Sequence, residues 1–244
     1  GGMDIRETNT KHENGLWELG DIPPERTLCY EPAFVSIHCV RESNVRWGDT
    51  VAVIGLGAIG MIAVEMARAS GAEKVFAIDP LPSRRDWCLA NGADYAFDPM
   101  DGEVALQVRE VNGGKGTDVA MEISGAYPAL ELATKVVATS GTVCSAGFYT
   151  AEAQGNLHLG RDWHHKRLKM IVPTGCAWGY EPRDYPLWTI ERSTQAIIDM
   201  MRKDRLKLNG MIHPMIDFDE QQAQGVFTAM KDDPNSLLKY GVKF

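Results

Sequence analysis

The residues Gly55-Leu56-Gly57-Ala58-Ile59-Gly60 have the G-x-G-x-x-G spacing of a loop that receives a dinucleotide diphosphate. The chain has 24 glycines in 244 residues, so the spacing alone is weak evidence. The context makes it specific. A short β-branched run, 51–55, precedes the loop, and Met61, Ile62, Val64 and Met66 follow it at helical spacing. Asp79 ends the next β-branched run about 20 positions on, where the fingerprint places a ribose-binding carboxylate. In this pattern Gly55 permits a tight turn, Gly57 lets the backbone approach the diphosphate, and Gly60 lets helix and strand pack closely. The diphosphate then lies on the free amides of Ala58 and Ile59, at the positive end of the helix dipole. Asp79 would accept hydrogen bonds from the adenosine ribose and repel a 2′-phosphate, which favours NAD(H) over NADP(H). Arg84 and Arg85, just beyond it, offer partial compensation to a phosphate.

The elements needed to hold such a loop can be read along the chain. Strands are expected at 51–55, 74–79, 95–97, 118–123, 141–146 and 168–172. Helices between them are expected at 59–69, 83–90 with Ser83 as N-cap, 102–111 and 127–137. Strands alternating with helices of this length specify βαβ units and a parallel sheet covered on both faces. The fold class is therefore α/β, a Rossmann doubly wound sheet of six strands in the order 3-2-1-4-5-6. Before it, residues 16–19 read as a strand end, Pro24 opens a short helix, and 32–42 reads as a helix. After it come a helix at 189–202, a strand at 211–218, a helix at 220–231 and a closing strand at 238–244. Residues 1–15 are polar and read as a loose leader.

Composition excludes several function classes. A net charge of −8 argues against nucleic-acid binding, and the basic stretch 161–169 (RDWHHKRLK) reads as a solvated loop or strand edge. The longest apolar run, 51–64, is broken by glycines and shorter than the roughly 20 residues of a membrane span. Five cysteines without a CxxC pair read as reduced thiols of a cytoplasmic protein.

Longer words in the sequence are more specific than the loop. "LWELGDIPPE", "EPAFVSIHCVRESNVRWGDTVAVIGLGAIG", "GAEKVFAIDPLPSRRDWCLANGADYAFDP", "GTDVAMEISG", "SGTVCSAGFY", "YPLWTIERS", "MIHPMIDFDE" and "LLKYGVKF" follow in order from Leu16 to Phe244. With them the chain resembles the zinc-type medium-chain dehydrogenases/reductases, the alcohol, polyol and sugar dehydrogenases. The resemblance implies hydride transfer between an alcohol or polyol carbon and the nicotinamide. It implies a side chain at Ile123 against the adenine ring, and backbone groups of Ala146, Gly147 and Phe148 at the nicotinamide carboxamide. It also implies a homo-oligomer, commonly a dimer joined through the sixth-strand region.

The sequence departs from that family in its catalytic half. The resemblance implies a Gly-His-Glu segment among the zinc ligands, and a group of four closely spaced cysteines for a structural zinc in many members; neither occurs here. Glu31, followed by Pro32, stands where polyol-type members place a carboxylate in or near the zinc sphere. A single carboxylate cannot hold a zinc ion that takes three protein ligands. His164 and His165, read as neighbours on a strand, would face opposite ways. His38 and His213 read as surface or satisfied core histidines. The expected division is a catalytic-domain remnant at 1–30, the dinucleotide-binding domain at 31–205, and a return segment of a GroES-like catalytic domain at 206–244. Three readings stay open: a dehydrogenase represented by its cofactor half, a non-catalytic dinucleotide-binding module, and a remnant exposing Trp17, Met211, Ile212, Met215 and Phe244 where a domain is lost.

Overall fold

The structure, a computed structural model, describes residues 16–150, 157–176 and 180–243. The expected leader at 1–15 and Phe244 lie outside the described residues.

The centre is a six-stranded parallel sheet in the order β3-β2-β1-β4-β5-β6. Its strands are β1 (Thr50–Ile54), β2 (Lys74–Ile78), β3 (Tyr95–Phe97), β4 (Thr117–Glu122), β5 (Val137–Ser145) and β6 (Lys169–Ile171). The connecting helices are α3 (Ala58–Ala69), α4 (Pro82–Ala90), α5 (Val104–Val111) and α6 (Tyr127–Val136). β1 and β2 are buried along four successive residues, as expected of strands covered on both faces. Alternate residues serve two cores. Val51, Val53, Val75 and Ala77 join one cluster, and Ala52, Ile54, Phe76 and Ile78 join the other. The strand order reverses between β1 and β4, so the crevice outside their carboxyl ends is the topological switch point.

Ahead of the sheet lie α1 (Pro24–Thr27) and α2 (Tyr30–Glu42). After it come α7 (Ile190–Arg202), β7 (Ile212–Asp217), α8 (Glu220–Asp232) and β8 (Lys239–Lys243). β7 and β8 form a separate parallel pair, a pairing the strand pattern did not specify. α7 packs on α2, where the Tyr30 hydroxyl lies 2.8 Å from Thr194 Oγ1. Arg26 Nη1 donates to Met201 O at 2.7 Å and to Asp204 Oδ1 at 2.6 Å, fastening α1 to the end of α7.

Several expectations need correction. Residues 16–19 form no strand. Ser83 is not a cap, because α4 already begins at Pro82; its hydroxyl lies 3.0 Å from Asn235 Oδ1 instead. β5 begins at Val137, which pairs with Thr117 before a register shift; pairing resumes at Thr142 with Val119. His164 and His165 lie at the end of a π-helical turn, Leu159–His164, and not on a strand. Of the residues expected at an exposed face, Met211 and Ile212 are buried and Met215 is partly buried against the same core, while Trp17 is exposed. Among the described residues no helix is long and apolar enough to cross a membrane.

Candidate dinucleotide site at the switch point

β1 ends at Ile54, and the chain turns at Gly55 with φ +90°, a conformation that side chains rarely tolerate. The Gly55 N–H donates to Ile78 O at 2.9 Å, which carries the sheet ladder into the loop. α3 then starts at Ala58 with Gly57 as N-cap and no side chain capping it. The two remaining glycines have different surroundings. A Cβ on Gly60 would stand 1.9 Å from Gly55 O, so this position is closed to any larger residue. A Cβ on Gly57 would meet nothing within 4 Å. The helix N-terminus, with its unpaired amides, is therefore open to an anion on the Gly57 side.

Asp79 follows β2 and is 3% exposed. Its Oδ2 accepts from Leu56 N at 2.7 Å and its Oδ1 from Leu81 N at 2.9 Å. The carboxylate thus fixes the glycine loop and its own turn while lying at the edge of a cavity. The Arg84 guanidinium stands 3.7 Å from Asp79 Oδ2, and Arg84 Nε is buried without a hydrogen-bond partner among the described residues. Arg85 is used differently: its Nη1 donates to Asp79 O, Pro80 O and Asp98 Oδ2. A cavity of about 510 Å³ opens here, lined by Gly55, Ile78, Asp79, Arg84, Ser124 and Pro128 among others.

The residue expected against the adenine, Ile123, and those expected at the nicotinamide carboxamide, Ala146, Gly147 and Phe148, follow the ends of β4 and β5. Ile123 N donates to Ile54 O at 2.8 Å, and the half-buried Ile123 side chain packs against the larger core; its neighbour Ser124 is the one on the cavity wall. Ala146 N and Gly147 N both donate to Glu122 O, at 2.8 and 3.1 Å, and Phe148 is 86% exposed. The sequence reading missed Glu122, Ser124 and Tyr149. The signal available was a carboxylate ending an apolar strand in "DVAME", a residue that must find donors once buried.

The metal question has a plain answer in the described residues. No group of three or more His, Cys, Asp and Glu side chains there could hold a metal ion. Glu31 is exposed in the first turn of α2. His38 is buried, its Nδ1 3.5 Å from Glu42 Oε1 and without a hydrogen-bond partner among the described residues. The side chains of the described residues do not fit a zinc ion.

With an open helix N-terminus after the first strand and a carboxylate after the second, the fold is that of a Rossmann-type unit with an open cleft at its switch point. The chain belongs to the zinc-binding dehydrogenases, whose family model matches residues 58–194. It is 33% identical to the D-guloside 3-dehydrogenase of Escherichia coli (strain K12) over 221 residues, 90% of this chain and 62% of that protein. The chain therefore spans about three-fifths of that relative's length. Among solved structures it is similar to 2R,3R-butanediol dehydrogenase of Bacillus subtilis, with a TM-score of 0.75 and 24% identity, covering 92% of this chain and 59% of that one. It is also similar to a Sinorhizobium meliloti 1021 protein assigned as a zinc-binding dehydrogenase and crystallised bound to NADP. That TM-score is 0.68 at 21% identity, covering 91% of this chain and 60% of that one. These structural likenesses concern the fold.

Proposed function

We propose that the chain binds NAD(H) and supplies the cofactor half of an alcohol or polyol dehydrogenase. The observation that carries the reading is the open space over Gly57 beside the uncapped start of α3. The diphosphate would lie there on the amides of Ala58 and Ile59, and Asp79 and Arg84 would face the adenosine ribose. Ile123 would flank the adenine, and the backbone of Ala146, Gly147 and Phe148 would meet the carboxamide. In the reaction, a carbinol carbon gives its hydride to nicotinamide C4 while the hydroxyl loses its proton, yielding a carbonyl and NADH. The share of this chain's residues is to bind and orient the nicotinamide. The described residues do not form a zinc ligand set.

The proposed organisation keeps residues 31–205 as the dinucleotide-binding domain, with 1–30 and 206–244 belonging to a catalytic domain. Self-association through the edge strand β6 and a cytoplasmic setting complete the reading. Cys29, Cys88 and Cys144 are buried free thiols, which suits a reducing compartment. Titration with NADH, followed by energy transfer from tryptophan and compared with NADPH, tests the proposal. Saturable binding with NADH preferred is expected. Equal affinities would remove the argument from Asp79, and no binding by a folded sample would remove the function.

A further inference from the structure

Glu122 ends β4 and is 0% exposed, and its carboxylate bonds to the segments that follow β4 and β5. Oε1 accepts from Ser124 N at 2.7 Å, Ser124 Oγ at 2.5 Å and Gly125 N at 3.0 Å. Oε2 accepts from the Tyr149 hydroxyl, four residues beyond the end of β5. Burial first, and then the bond to Glu122, push the Tyr149 phenol above its ordinary value, so it stays protonated. Its one proton goes to Glu122. The Ser145 hydroxyl, 3.0 Å away, must therefore donate to Tyr149. The proton order is Ser145 to Tyr149 to Glu122, with Ser124 donating from the other side.

The carboxylate joins three segments around the proposed site. A Cβ on Gly147 would be 2.1 Å from Gly125 N and 2.6 Å from Glu122 Oε2, so the loops after β4 and β5 touch through their backbones at this carboxylate. A Cβ on Gly55 would be 2.7 Å from Ser124 Cβ, so the phosphate loop rests on the residue that Glu122 holds. A carboxyl group buried here is fully satisfied only while these donors stay in place.

We propose that Glu122 and Tyr149 form a latch which holds the loops after β4 and β5 against the phosphate loop and sets how fast a dinucleotide leaves the cleft. Glu122 and Tyr149 are positioning residues. They act through the segments that would touch the ligand, and the kinetic part of the inference rests on the dinucleotide-binding reading above. Opening the latch would free the loop carrying Gly147 and Phe148 without altering the open approach over Gly57. The effect is therefore on release more than on entry.

The test uses the full chain, Tyr149→Phe and, as a milder comparison, Ser145→Ala. Amide hydrogen exchange is measured without ligand, and NADH association and dissociation by stopped flow. Tyr149→Phe keeps the ring against Tyr127, with centroids 5.0 Å apart, so its fold should survive. Expected for it are faster exchange at Ser124 and Gly125, unchanged exchange in β2, and about tenfold faster NADH dissociation with association within about twofold. Ser145→Ala, which loses a bond between neutral groups, should change dissociation by less than about threefold. Glu122→Gln, which retains an acceptor for Ser124, should fall between the unmutated protein and Glu122→Ala. Unchanged exchange at Ser124 and Gly125 would overturn the latch itself. Faster exchange with unchanged dissociation would overturn its control of release. If the unmutated protein binds no NADH while exchange still responds to Tyr149→Phe, the dinucleotide reading fails and the coupling between the loops stands.

Discussion

The contrast between Gly57 and Gly60 allows stability and binding to be perturbed separately by the same change, glycine to alanine. At Gly57 the φ of −67° suits alanine and nothing lies within 4 Å of the new methyl. Alanine caps helices slightly less well than glycine, and it lowers the entropy of the unfolded chain. These opposing effects are each at most about 1 kcal/mol. Gly57→Ala should therefore melt within about 3 °C of the unmutated protein. Its methyl, however, stands where the diphosphate would have to come into contact with the backbone. NADH affinity should fall about tenfold or more, equivalent to about 1.4 kcal/mol. At Gly60 the methyl would be 1.9 Å from Gly55 O, roughly 1.6 Å inside an ordinary contact. The obstacle is backbone, so the loop must move, at a cost near the upper end of the 1–3 kcal/mol range for overpacking. For about 3 kcal/mol, Gly60→Ala should melt about 6–12 °C lower. Thermal unfolding and NADH titration of both variants decide the matter. Gly57→Ala binding NADH as tightly as the unmutated chain would mean that the diphosphate does not lie over Gly57. Undiminished stability of Gly60→Ala would mean that the loop is not packed on Gly55 as described.

Three further outcomes are expected. Asp79→Ala should weaken NADH binding about tenfold and narrow its margin over NADPH, since the carboxylate that would meet the 2′-hydroxyl and repel a phosphate is gone. An unchanged margin in paired titrations would remove that role. Glu65 on α3, 6% exposed, accepts from Lys207 N at 2.9 Å and Leu208 N at 3.1 Å. Glu65→Ala leaves both amides unpaired and should destabilise by about 2–5 kcal/mol in urea unfolding, with the variant's stability unchanged as the contrary result. Burial pushes the Glu42 carboxyl up, but His38 and the Thr174 amide and hydroxyl outweigh it and hold the group below its ordinary 4.5. Its contribution is present above that value and lost as pH falls through the lowered folded value. Glu42→Gln should therefore lose less stability than the unmutated chain on acidification below 4.5, as read from urea midpoints.

Where local chemistry and the packed structure ask for the same thing, the sequence was legible. The runs that became β1, β2 and β4 are apolar because both faces of a parallel sheet are covered, and the glycine loop stands out because only that residue type fits its turn. β5 was read short because Thr139-Ser140-Gly141 has the composition of a turn. Yet Val137, ahead of it, finds a partner in Thr117. The segment at 16–19 was read as a strand end on its apolar residues, but a strand exists only with a partner across its hydrogen bonds. Asp79 was visible as a ribose-binding candidate, but its hold on the Leu56 amide was not, because that bond joins positions 23 apart and forms only after the loop folds over β2. Glu122 and Tyr149 were missed for the same reason: their significance lies in a contact across two strand ends.

The C-terminal segment is anchored unevenly. Its near part is secured to the Rossmann unit by Glu65, by Trp87 Nε1 donating to Asn209 O at 2.7 Å, and by the buried Leu206, Leu208 and Met211. Farther along, α8 buries Val226 alone of its thirteen residues, while Phe227 and Met230 stay exposed. Resistance to local opening therefore grades along this stretch, from residues that open only with the central sheet to a helix at the low end of the free-energy scale. Within this C-terminal stretch, a protease probing the native protein should cut in α8 before it cuts the part held by Glu65 and Trp87.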